Sequence, residues 1–285
     1  WGQRKRGRLA REGVGRLCSS VSMERYLLAG STFFYLLGFA YSLLLLGAGK
    51  FRPSRFNLYA IAAGFILQSA FLYLRGQAIG RCPITNSFEI LVFLSWSVAL
   101  AYLVVGTTYR ISVLGAFTAP LVFGLQLFAL LLPSTPAVRK SGPPDGWLEL
   151  HASTSLVAYG VLALACVAGV MFLVQEKQLK MRVPGSLFHL LPPITTLADA
   201  MRRLLWFGVI LLSIGILAGF FVGTPVGRVK SGASVLIWLI YAGILFLWMR
   251  NTLHSHRVAQ YCVGAFALAL ITLPAMYALG GLLAK

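Results

Sequence analysis

His151, Ser155 and Tyr159 stand at i, i+4 and i+8 of one apolar run, so on a helix they share a face. A polar stripe on an otherwise apolar membrane helix turns toward the interior of a bundle. His151 heads that run, in Trp147-Leu148-Glu149-Leu150-His151. An imidazole at an apolar helix end is a good axial ligand for haem iron. The plainer reading is an interfacial histidine bonded to a headgroup or a loop carbonyl. Glu89 is the second candidate, in Arg81-Cys82-Pro83-Ile84-Thr85-Asn86-Ser87-Phe88-Glu89. Asn86 or Ser87 suits a helix N-cap there, and a carboxylate in the first turn suits the helix dipole. The alternative is a polar anchor at the rim of a bundle cavity, because an ionisable group just inside a membrane helix is a functional candidate. His254 and His256 form a His-x-His pair in a short basic gap, and His189 lies in a long one. Cys166 and Cys262 sit inside apolar runs, where a thiol behaves as a small hydrophobe. Cys82 stands alone in a loop, where an inert thiol is the simpler expectation. The sequence has no CxxC, CxxCH or Cys/His cluster, so neither structural zinc nor covalent haem attachment on this chain is indicated.

The elements that must position these residues are set by how charge is distributed. The chain is 58% hydrophobic and 11% charged over 285 residues, where a soluble domain carries about 25% charged. Charge falls almost entirely between eight apolar runs, near 26–47, 57–75, 87–107, 111–132, 150–174, 203–223, 233–249 and 258–281. Each run approaches the roughly 20 residues that cross a hydrocarbon layer of about 30 Å as a helix. The fold class is therefore all-α, a polytopic bundle of about eight transmembrane helices. The net charge of +18 reads as Lys and Arg flanking helices at anionic headgroups, so the partner is the lipid bilayer and not nucleic acid. Residues 1–22 are basic and lack the apolar stretch of a signal peptide. They read as a disordered basic leader before a start at Met23, with 23–285 as a single transmembrane domain. Lys and Arg in alternate gaps favour the face carrying Lys50, Arg110, Lys177, Arg203 and Arg250 as cytoplasmic, by eleven to eight when Arg25 is counted and residues 1–22 are not. Counting residues 1–22 reverses the sign. On the first choice both termini lie outside, and gaps 76–86, 133–149 and 224–232 share the outer face of an inner membrane.

Some chemistries drop out. There is no GxSxG, HExxH, P-loop or GxGxxG between strand and helix, and no acid deep in a run, so hydrolase, ATPase and proton-coupled pump readings lack residues. Four stretches then resemble, in order, the CcsA-type cytochrome c assembly proteins. They are Pro83-Ile84-Thr85-Asn86-Ser87-Phe88-Glu89 with Phe93-Leu94-Ser95-Trp96, Leu150-His151-Ala152-Ser153 with Tyr159, Ile214-Gly215-Ile216-Leu217-Ala218-Gly219, and Leu236-Ile237-Trp238-Leu239. Size and span number resemble the short HemX-like branch. The resemblance implies a binding or assembly protein rather than an enzyme. It would hold or present haem at the outer face in cytochrome c biogenesis, beside other cytochrome c assembly proteins. By position His151 matches the first of the family's outer histidines, and the gap 224–232 matches its Trp-rich loop. Arg228 and Lys230 in that gap then suit haem propionates or lipid phosphates. The gap here holds no Trp or Asp, and no second histidine follows the last run. A haem on His151 alone, a second ligand from a partner, or no haem stay open. Glu89, Ser155 and Tyr159 are expected to line the same cavity as His151. The alternatives are a membrane regulator or scaffold for a haem-biosynthesis enzyme, docking through 175–203, or a small-molecule permease.

Overall fold

The computed structural model describes residues 2–48, 55–109, 112–132, 145–181, 193–222 and 225–283. They form eight helices: α1 (Gly2–Ala48), α2 (Phe56–Ile79), α3 (Ser87–Tyr109), α4 (Ser112–Leu131), α5 (Gly146–Met181), α6 (Ile194–Phe220), α7 (Pro225–Met249) and α8 (Ser255–Leu283). Six are long and apolar enough to cross a membrane, and α7 carries a shorter apolar stretch over Ser234–Met249. Large apolar side chains such as Leu44, Ile66, Leu131, Leu217 and Phe220 lie exposed around the outside. A soluble chain would bury such a surface, and a bilayer covers it. The protein is a multi-pass membrane protein.

Local signals set most of the ends. Gly80 closes α2 in the left-handed conformation (φ 77°) and returns its N–H to the Gly76 carbonyl at 2.8 Å. Asn251, at φ 54°, makes the tight turn between α7 and α8. Three stretches depart from the sequence reading. Helix α1 starts at Gly2, so residues 2–22 are helical rather than an unstructured arm. The gap 224–232 is not a loop over its last eight residues. Pro225 opens α7, at the position where a missing N–H costs nothing. Helix α5 continues through Gln175–Met181, all good helix formers, and reaches a length of about 54 Å.

The helices form two four-membered groups. Helices α1 to α4 pack around one another, α5 to α8 do the same, and α5 joins the groups by packing on α3. A hydrogen-bonded cluster ties the first group at mid-depth. The Gln68 side-chain nitrogen lies 2.6 Å from Ser95 Oγ and 2.9 Å from Gln126 Oε1, while the Tyr35 hydroxyl donates to Gln68 Oε1 at 2.6 Å. Such bonds are the usual adhesive where lipid removes the hydrophobic drive, worth about 1 kcal/mol each. The two groups meet where α3 and α5 come close. A Cβ on Gly160 would sit 2.6 Å from Ser97 Cβ and 2.7 Å from the Ser97 backbone carbon. Only glycine permits that approach.

Candidate functional site

Asp145 fixes the entry of α5. Its Oδ1 accepts from the Trp147 and Leu148 N–H groups at 3.1 and 3.3 Å, as an N-cap does. From that start His151, Ser155 and Tyr159 run down one stripe. Helix α6 lies against the stripe, and the contact is made at Gly215. A Cβ there would meet Ser155 Oγ at 2.8 Å and Thr154 Oγ1 at 3.1 Å, so glycine lets α5 close up. The half-buried His151 ring then reaches the Gly215 carbonyl, with Nδ1 to oxygen at 2.7 Å.

That bond assigns the tautomer. A carbonyl only accepts, so Nδ1 carries the proton and Nε2 of the neutral ring keeps a lone pair. Nε2 has no hydrogen-bond partner among the described residues. A ring nitrogen held this way through its neighbour is the arrangement in which histidine ligates a metal. Below it, Ser155 Oγ is buried without a hydrogen-bond partner among the described residues, and Tyr159 is buried one turn further in. The carbonyl partner expected of a merely interfacial histidine is thus present. It occupies one nitrogen and leaves the other.

Glu89 departs from the expectation of a shared cavity with His151. It is fully buried. Arg75 Nε donates to its Oε1 at 2.9 Å, and the Thr85 N–H and hydroxyl both donate to its Oε2 at 2.8 Å. Arg75 also pairs with Glu24 at 3.3 Å. The Glu89 N–H goes to Asn86 Oδ1 at 2.8 Å, which makes Asn86 the N-cap of α3. Glu89 is therefore held through Arg75 in a cluster that clamps the middle of α1 to the end of α2 and the start of α3, because an unpaired carboxylate at that depth would be too costly. Burial pushes the Cys82 thiol up to about 11, with Glu149 and Glu89 adding to the effect, so it stays protonated at neutral pH. His256 pairs with Glu176, which also holds Lys180 at 2.7 Å, at the opposite end of the bundle from His151. The Arg228 side chain and His189 lie outside the described residues.

The sequence reading missed Asp145, the Gly215 carbonyl and the partners of Glu89. Gly215 and Gly219, four apart, were a signal for close helix approach. Arg75 gave none, since it resembles any basic residue at a helix end.

Residues 84–277, more than half of the chain, match the family model described as Cytochrome C assembly protein. Protein HemX of Brevibacillus brevis is 28% identical over 253 residues, covering 86% of this chain and 90% of that protein. The cytochrome c biogenesis protein CcsA of a Picosynechococcus species is 30% identical over 132 residues, 44% of this chain and 38% of that protein. A 28.8 kDa protein of Azospirillum brasilense, itself uncharacterized, is 28% identical over 166 residues, covering 54% of this chain and 60% of its own length. The likeness to HemX runs nearly end to end, while that to CcsA covers less than half of either protein.

Proposed function

The chain belongs to the cytochrome c assembly protein family, and we propose on that premise that it holds haem on His151 at the outer face of an inner membrane during cytochrome c biogenesis. Membership supports the coarse role, a membrane protein of cytochrome c biogenesis acting as an assembly factor. The His151–Gly215 bond is the one observation that carries the finer reading. It orients the imidazole, keeps the proton on Nδ1 and presents Nε2 as the donor. The residues present fit a histidine-held haem in this respect. The donor is pre-oriented, and a Ser155 hydroxyl without a partner among the described residues lies beside the same stretch of α6. Tyr159 closes the stripe from below. Arg228 is proposed as a propionate partner on sequence position alone, and Glu89 acts only by holding the α3 end in place. Haem, when bound, would be held by His151 and would supply an iron able to accept the imidazole nitrogen. Other cytochrome c assembly proteins are the proposed partners, and they would be the source of any second iron ligand.

The protein in lipid nanodiscs, titrated with hemin, is expected to develop a Soret band of imidazole-ligated haem. His151→Ala is expected to lose it, by a factor of at least about ten in affinity. An identical spectrum in the variant removes the ligand assignment. Deletion of the gene is expected to lower membrane-bound cytochrome c, and unchanged cytochromes count against the assembly role.

A further inference from the structure

One turn outward of His151, Trp147 and Phe221 stack across the α5–α6 seam, with ring centroids 4.6 Å apart and planes 28° from parallel. Trp147 precedes His151 by four residues, so the two side chains share a stripe on α5. Phe221 follows α6 directly, six residues beyond the glycine whose carbonyl holds the imidazole. The seam therefore carries an aromatic rung at its rim and an imidazole rung below. Deeper still is the Ser155 hydroxyl, on a residue only 8% exposed and without a hydrogen-bond partner among the described residues. Trp147 and Phe221 remain 48% and 64% exposed, so much of each ring is still open. A tryptophan that only anchors a helix in the headgroup layer needs no ring from the next helix. A flat, open aromatic pair beside a nitrogen with a free lone pair suits a ligand that is itself flat, aromatic and able to take that nitrogen axially.

We propose that the outer face of Trp147, backed by Phe221 stacked on its inner face, is the stacking surface for the macrocycle of a metalloporphyrin, on the same side of its plane as His151. Ring contact then supplies affinity, and the imidazole sets where the metal lies. This rests on the haem reading above, yet it separates from that reading experimentally, because a metal-free porphyrin has the ring and lacks the metal.

The test uses the full chain in phosphatidylcholine nanodiscs, with empty discs as blank, titrated with protoporphyrin IX by fluorescence and with hemin by absorbance. Trp147→Leu and Phe221→Leu are expected to weaken protoporphyrin IX about tenfold, and Trp147→Phe to restore most of the binding. His151→Ala should bind protoporphyrin IX as the parent protein does while losing the imidazole-type Soret band with hemin. Unaltered protoporphyrin IX affinity in both leucine variants overturns the platform and leaves the ligand assignment standing. Lost protoporphyrin IX binding in those variants, together with an unchanged hemin spectrum in His151→Ala, supports the platform and removes the ligand. Where a leucine variant does not fold, the emission of Trp147, read as parent minus Trp147→Phe, decides. Quenching by bound protoporphyrin IX supports the platform, and its absence overturns it.

Discussion

Two ionisable residues of similar sequence standing have opposite fates in this bundle. Among the described residues His151 keeps one nitrogen without a hydrogen-bond partner, whereas Glu89 spends both oxygens on Arg75 and Thr85. The difference is depth. Glu89 is completely enclosed, so its charge must be met on the spot, and Arg75 meets it while also holding Glu24. Removing the cation leaves two carboxylates without it in a dry place. Arg75→Met is therefore expected to destabilise the protein by about 3 kcal/mol or more, read as a lower unfolding temperature in detergent. Adding Glu89→Leu to that variant should recover part of the loss, because an apolar pair of similar volume avoids the stranded charge. A double variant no better than Arg75→Met alone would show that the ion cluster is not what holds α1, α2 and α3 together. Part of this was legible in the sequence. The Asn86 cap and the first-turn placement of Glu89 follow from local chemistry over four residues. The Arg75 partnership spans fourteen residues and a turn, and no local pattern encodes it.

At the scale of helices, the apolar runs located all eight, because a backbone in lipid has no other way to satisfy its hydrogen bonds. The ends were less legible where helices outrun the membrane. Gln175–Met181 carries no breaker, and Glu176 joins Lys180 and His256 to keep α5 helical and tied to α8 beyond the apolar core. Hydropathy sees only the apolar part of such an element. The α3–α5 seam was invisible for another reason, since Gly160 has no small-residue partner four positions away to mark a crossing, unlike Gly215 with Gly219. Gly160 and Gly124 make the contrast. A methyl group on Gly160 collides with the Ser97 backbone, which can yield only if α3 moves, while Gly124 has nothing within 4 Å. Gly160→Ala is expected to lower stability by roughly 1–3 kcal/mol. Gly124→Ala should be neutral or slightly stabilising, through higher helix propensity. Unfolding temperatures of the two variants side by side check this, and equal values would mean that α3 and α5 do not meet as closely as described.

Across the whole molecule, the helices sort polar features to two ends. One end gathers Glu24, Arg75, Cys82, Glu89, Asp145 and the His151–Gly215 contact; the other gathers Glu176, His256, Arg202 stacked on Trp248, and Arg250 on Phe246. The sequence reading anticipated that gaps 76–86 and 133–149 share an end, and Cys82 beside Glu149 agrees with it. Which end faces outward is a separate matter. It rests on the bias of Lys and Arg toward the Glu176 end, which holds when residues 1–22 are left out of the count and reverses when they are included, and a bundle with its ends exchanged would have the same internal contacts. The haem proposal needs the His151 end outside. The direct measurement replaces the four cysteines with alanine and introduces one reporter at a time. Gly146→Cys suits the first end, being exposed with open space around its Cβ, and Thr252→Cys suits the second, in the exposed turn between α7 and α8. A membrane-impermeant maleimide applied to intact cells is expected to label Gly146→Cys at once and Thr252→Cys only after permeabilisation. The reverse pattern would leave every contact in the bundle intact and still remove the outer-face role, because a porphyrin seated on His151 would then face the cytoplasm.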